Sequence, residues 1–203
     1  PNWIKIERFK NMTAGEALRR TLGIADNAKV VLFVHRLSRR KGAHYILPVA
    51  RAVTEKLKNV IFLVVGTGPE QKNLEFRIQN SELSRCVRLL GEVPNKDIPR
   101  YFAAADVFFM PSEEEGFPHV LLESQASGIP YVASGVGGVG EITPSKLQEY
   151  VLSGRDIAAF SDKILKLLKM TREERQEIVK VEREWVKQYD TDAVLPKFVS
   201  LFQ

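Results

Sequence analysis

Short unbroken apolar runs alternate along the chain with longer stretches of helical periodicity. The runs are "KVVLFV" (29–34), "NVIFLVV" (59–65), "CVRLL" (86–90), "DVFFMP" (106–111) and "PYVAS" (130–134). They are rich in β-formers and continuous rather than alternating, which is the signature of strands covered by helices on both faces of a parallel sheet. Between them, periodicity and capping residues predict helices over about 42–57, 69–80, 95–104 and 118–127, with Pro118 suited to a first helical turn. The fold class is therefore α/β, a doubly wound parallel sheet. After Thr143 the pattern weakens, and helices are expected near 156–169, 172–189 and 192–202. Their apolar residues Trp185, Val186, Leu195, Phe198, Leu201 and Phe202 either cover this domain or pack on something outside it.

A length of 203 residues with 44% hydrophobic content supports a sizeable core. The net charge of +5 admits nucleic acid, anionic lipid or a phosphorylated small molecule as partner. The basic residues, however, are interleaved with acids, as in "KMTREERQEIVKVEREWVKQ", a solvated helix face rather than a stripe for nucleic acid, so no nucleic-acid partner is expected. The single cysteine, Cys86, cannot form an internal disulfide. With no signal peptide and no long apolar run, a cytoplasmic setting is the default expectation. The chain opens at Pro1 without an initiator Met, which suggests a fragment.

In an open α/β sheet, ligands bind beyond the carboxyl ends of the strands, where the loops after Val34, Val65, Leu90, Met110 and Ala133 should gather. The residues with unusual chemistry sit in those loops. In "VHRLSRRKGAH", Arg36 and Lys41 precede an expected helix start at Gly42, which outlines a diphosphate site: a guanidinium grips phosphate in a bidentate way and an ammonium supplies a point charge. Arg39 and Arg40 read as solvated. In "VVGTGPEQ", Gly66 and Gly68 allow a tight turn and close backbone approach to a ligand, although Gly-x-Gly alone is a weak signal. In the third loop Val93, Pro94 and Ile98 offer an apolar slot for a flat base. In the fourth, "SEEEGFPHVLLESQASG", Glu115 lies in a turn and Glu123 in the second turn of the next helix, so the two flank a ligand; carboxylates beside a phosphate suit ribose and sugar hydroxyls. Glu113 and Glu114 point to solvent. The fifth loop adds the backbone N–H groups of Gly137 and Gly138. "YDTD" at 189–192 spells Asp-x-Asp, but it lies in the distal helices and is discounted as a metal site.

The ordered segments "HRLSRRKG", "VVGTGPE", "GEVPNKDIPRYFAAADVFFMPS", "EEGFPHVLLESQASGIPYVAS" and "GGVGE" resemble the group 1, or family 4, retaining glycosyltransferases of the GT-B fold over roughly residues 1–142. The family hallmark of Glu, seven residues, Glu is matched by Glu115 and Glu123. The resemblance implies a Rossmann-like C-terminal domain that binds a nucleotide sugar (a UDP-, GDP- or ADP-sugar). In it Arg36 and Lys41 hold the diphosphate, Glu123 the ribose, and Glu115 with the backbone of Gly116, Phe117 and Pro118 the transferred sugar. It implies no cofactor and no metal, and a mechanism in which the leaving diphosphate helps to deprotonate the acceptor. It further implies that residues 1–10 are a hinge from an absent N-terminal acceptor domain, that the acceptor is a sugar or lipid-linked glycan, and that the enzyme associates peripherally with the inner membrane surface. The alternative is a non-catalytic nucleotide-sugar or partner-binding module of the same fold. His35 stands where the family commonly has Gly, "ESQA" replaces the usual "EAMA", and His44 and His119 read as surface or supporting groups. Residues 143–160 lack the common Gly-rich turn with a following strand.

Overall fold

The computed structural model describes residues 2–200, with the backbone alone for Lys197 and Phe198. Its first half runs α1 (Thr13–Thr21), β1 (Lys29–Val34), α2 (Ile46–Lys56), β2 (Val60–Val65), α3 (Gln71–Gln79), β3 (Val87–Gly91), α4 (Ile98–Ala104) and β4 (Val107–Met110). Then follow α5 (His119–Ser127), β5 (Tyr131–Ser134), α6 (Val139–Ile142), β6 (Val151–Leu152), α7 (Ile157–Leu168), α8 (Arg172–Val186) and α9 (Thr191–Val199). The strands form one six-stranded sheet in the order β3-β2-β1-β4-β5-β6, and every pairing is parallel. Chain order runs outward from β1 to β3, returns to the far side of β1 at β4, and runs outward again. The crevice between the loops after β1 and β4 is thus the switch point of the topology.

Alternate residues of each strand feed two cores. Val31 and Phe33 of β1 join Phe62, Val64 and Phe109 under α2 and α7, while Val30 and Leu32 join Leu63, Val65 and Phe108 under α4 and α5. Burial on both sides explains why the strands read as unbroken apolar runs. At the amino end of β4, Asp106 accepts from Arg19 at 2.6 Å and from the Val30 N–H at 2.8 Å, and Arg175 donates to its backbone oxygen, which pins α1 and α8 to the sheet.

Three expectations need correction. No helix starts at Gly42: that residue takes a left-handed conformation (φ 74°) between two 3-10 turns, and α2 begins at Ile46. A Cβ at Gly42 would stand 2.1 Å from the Pro111 oxygen, so the close approach of the β1 and β4 loops breaks the helix there. A helix at Thr13–Thr21 escaped the sequence pattern because its packing depends on a glycine: Gly15 lies against the backbone of Ala103, and Leu18 is its one large buried side chain. In the region expected to lack a strand, Val151–Leu152 pairs with β5, two residues being too short to show a period.

Ile4 and Phe9 bury their side chains against this domain. Ile4 bridges Asp190, donating to the Tyr189 oxygen and accepting from the Thr191 N–H, and Phe9 stacks edge-on against Phe102. Trp185 is held here as well, its indole N–H donating to the Ile142 oxygen at 2.9 Å. The Phe198 side chain, Leu201 and Phe202 lie outside the described residues.

Candidate active site

Backbone hydrogen bonds stitch the carboxyl-end loops together. The His35 N–H donates to the Val65 oxygen, the Leu37 N–H to Thr67, the Gly66 N–H to Gly91, the Glu113 N–H to Arg40 and the Gly138 N–H to Gly116, each at 2.7–3.1 Å. The contact between the β4 and β5 loops is the closest. Gly137 has φ 52°, and a Cβ there would fall 1.8 Å from the Glu115 oxygen, so only glycine lets this loop seat the acidic turn.

At the switch point sits Glu115, its side chain 5% exposed. Lys41 Nζ reaches Glu115 Oε2 at 2.8 Å and the Glu114 backbone oxygen at 3.4 Å, while His35 Nε2 reaches Glu115 Oε1 at 3.1 Å. Burial alone would push the carboxyl up, but the bonds from His35 and Lys41 outweigh it and hold Glu115 at about 2. The result is a fixed carboxylate with a fixed ammonium beside it. An ammonium has three N–H groups, so Lys41 keeps one donor for an anionic oxygen while it holds Glu115.

Glu123 lies in the second turn of α5, half-buried, and its carboxyl has no hydrogen-bond partner among the described residues. Burial pushes it up to about 7, with the Arg8 guanidinium pulling the other way. Arg8 itself grips the third loop, donating at 2.7 Å to both the backbone and the side-chain oxygen of Asn95. An unpaired carboxyl at this depth suits a ligand that brings hydroxyl donors.

The remaining expected residues divide. Arg36 is exposed beside the site, its N–H donating to His35 Nδ1 at 3.0 Å. Gly66 uses its N–H within the loop network and has φ 129°. A Cβ on Gly116 would meet nothing within 4 Å, so the turn faces open space there. Phe117 packs its ring on His119 and Tyr189, and Pro118 caps α5. Val93 is half-buried and Pro94 exposed, whereas Ile98 is in the core with 8% exposure and so is not open to a base in the way the sequence suggested. His44 lies under the acidic turn, 3.4 Å from Glu113. The terminal Asp190 and Asp192 belong to the segment that pairs with Ile4, and among the described residues no three His, Cys, Asp or Glu side chains converge on a metal position. The polar cluster of α5 and α8 had no sequence signal: Glu182 is fully buried and neither of its oxygens is hydrogen-bonded, and Gln125 donates to Tyr131 and Ile142.

The strand order is that of an open, doubly wound α/β sheet with acids and a lysine gathered at its switch point, and the fold is that of the C-terminal half of GT-B glycosyltransferases. The family described as glycosyl transferases group 1 matches residues 15–185, and the chain belongs to it. A D-inositol 3-phosphate glycosyltransferase from Corynebacterium urealyticum is 37% identical over 172 residues, covering 80% of this chain and 41% of its own length. The UDP-Gal:alpha-D-GlcNAc-diphosphoundecaprenol alpha-1,3-galactosyltransferase of Escherichia coli is 29% identical over 171 residues, covering 82% of this chain and 44% of its own. Among solved structures, Anabaena HepE in complex with UDP and glucose superposes with a TM-score of 0.86 at 25% identity, over 99% of this chain and 55% of that one. The C-terminal domain of a group 1 family protein from Francisella tularensis shares the fold at 19% identity with a TM-score of 0.78, over 93% of this chain and 99% of that one. The chain spans less than half the length of these curated relatives.

Proposed function

We propose that residues 1–203 are the donor-binding domain of a retaining hexosyltransferase that takes a nucleoside-diphosphate sugar. The observation that carries this reading is the Lys41–Glu115 contact of 2.8 Å at the switch point, with the unpaired Glu123 carboxyl on the adjoining helix. Lys41, through its remaining N–H, and Arg36 receive the diphosphate; Glu115 and the open turn at Gly116 receive the sugar; Glu123 takes the ribose hydroxyls; and Val93 with Pro94 lies against the base. Cations fixed beside the departing phosphate stabilise charge as it develops, without reorganisation. The leaving diphosphate accepts the acceptor's proton on the same face of the sugar, so the reaction needs no protein nucleophile, metal or cofactor.

The Escherichia coli relative, a UDP-Gal:alpha-D-GlcNAc-diphosphoundecaprenol alpha-1,3-galactosyltransferase, supports a UDP-sugar donor and a lipid-linked acceptor. On this reading the acceptor is a sugar or lipid-linked glycan, held by an N-terminal domain that residues 1–10 join to this one. Among the described residues no helix is long and apolar enough to cross a membrane; a lipid-linked acceptor would place the reaction on the cytoplasmic side, at the inner membrane surface. Calorimetric titration of the chain with UDP-, GDP- and ADP-sugars, beside a transfer assay, tests the proposal. One sugar nucleotide should bind and no transfer should occur until the N-terminal half is supplied. Binding without transfer in the complete protein would instead make this a non-catalytic module.

A further inference from the structure

His35 joins the two loops that flank the switch point, and we infer that it is a positioning residue that aims the Glu115 carboxylate at the donor sugar, acting as a neutral imidazole in a single tautomer. Its two ring nitrogens have opposite partners. The Arg36 N–H donates to Nδ1 at 3.0 Å, so Nδ1 is the bare acceptor. Nε2 therefore carries the proton, and donates it to Glu115 Oε1 at 3.1 Å. The carboxylate oxygens are shared out, Oε1 to His35 and Oε2 to Lys41, which fixes the rotation of the group as well as its place. The lysine is a flexible point charge and cannot do this alone.

The histidine backbone is equally constrained. Its N–H is bonded to the Val65 oxygen at 3.1 Å, and the β2 loop presses against its carbonyl so closely that a Cβ on Gly66 would lie 2.0 Å away. The ring is 22% exposed and so borders the crevice rather than filling the core. This inference rests on the reading of Glu115 as the sugar-holding group. Its chemistry is directional: the imidazole has one donor toward the acid and one acceptor toward the backbone, and no side chain with a single polar end reproduces both.

Two substitutions separate the two ends. In His35→Gln the longer side chain places an amide donor where Nε2 stood and retains the bond to Glu115. In His35→Asn the shorter amide reaches only the Arg36 N–H. The quantity measured is the ratio of dissociation constants for a nucleoside diphosphate and its sugar nucleotide, in the pairs UDP with UDP-glucose, GDP with GDP-mannose and ADP with ADP-glucose. That ratio reports what the sugar adds to binding. In the pair the wild-type chain prefers, His35→Asn should lower the ratio about tenfold, the factor expected for loss of one well-placed bond to a charged group, and His35→Gln by less than about twofold. In a Glu115→Gln background, His35→Asn should then change nothing further. Long-range nitrogen–proton NMR on the ligand-free chain should show Nε2 protonated and Nδ1 bare. An unchanged ratio in His35→Asn, an additive effect in the double variant, or an Nδ1–H tautomer would overturn the inference while leaving the donor-site reading intact. Failure of the wild type to bind any of the three sugar nucleotides would overturn both.

Discussion

Glu115 and Lys41 meet at 2.8 Å with side chains 5% and 13% exposed, although 74 positions separate them in the chain. Their contact closes the switch point of the sheet, and it makes the acidic turn a rigid part of the domain before any ligand arrives. The polar atoms that hold it come from the loop after β1, so the two halves of the sheet are coupled at the site itself.

The depressed carboxyl has a thermodynamic consequence. A group whose folded value lies below its unfolded one contributes stability above the unfolded value and loses it as pH falls through the folded one. For Glu115 the window runs from about 4.5 down to about 2, and the contribution above it is about 3 kcal/mol. Urea unfolding of the wild type and Glu115→Gln across this range should show two curves that converge as the medium is acidified. Parallel curves would mean that the pair adds nothing to the fold.

Glu182 should behave in the opposite sense. Burial raises it well above the usual carboxylate range, with Arg175 and Arg183 only partly offsetting the cost, so the folded chain binds a proton that the unfolded chain releases. Its contribution is complete below the unfolded value and is lost as pH rises toward the folded one. Glu182→Gln should therefore gain on the wild type as pH rises from about 4.5 toward neutrality, by about 1–3 kcal/mol, the cost of a buried polar group without partners. Thermal unfolding at several pH values gives the comparison, and a gap that shrinks with rising pH contradicts it.

Gly137→Ala should damage the site from a distance. The new methyl would meet the Glu115 oxygen, and the left-handed backbone adds strain of about 1–3 kcal/mol. Sugar-nucleotide binding should fall at least as far as in Glu115→Ala, whereas Gly154→Ala, at a position with open space around it, should leave binding unchanged. Full binding by Gly137→Ala would show that the acidic turn can move.

For Glu123, pushed up to about 7, the ionised form is the better acceptor for a diol. The preference for UDP over its 2′-deoxy analogue should grow as pH rises through about 7, the diphosphate titration cancelling in the ratio, and Glu123→Gln should flatten the profile. A wild-type ratio independent of pH removes Glu123 from the ribose site.

Donor binding should persist in excess EDTA, since the cations proposed for the diphosphate are Arg36 and Lys41. Binding abolished by chelator and restored by Mg²⁺ would reverse this and direct attention to Asp190 and Asp192.

The sequence by itself determined β1 to β5, because burial on both faces writes an unbroken apolar run, and it determined which loops carry the chemistry, because Arg36, Lys41, Glu115 and Glu123 are out of place in any core. It also carried the motif order that marks the family. It could not determine which of those residues meet. His35 and Lys41 reach Glu115 only because β4 pairs with β1 rather than with β3, its neighbour in chain order, and that choice is made by long-range packing that leaves no local period. The same holds for the helix Thr13–Thr21, docked through the absent side chain of Gly15, and for Glu182, which reads as one more charge on a solvated face until α8 lies against α5. Local pattern reports how each residue meets water, while the fold decides which residues share a space, and the candidate site is built from the second kind of information.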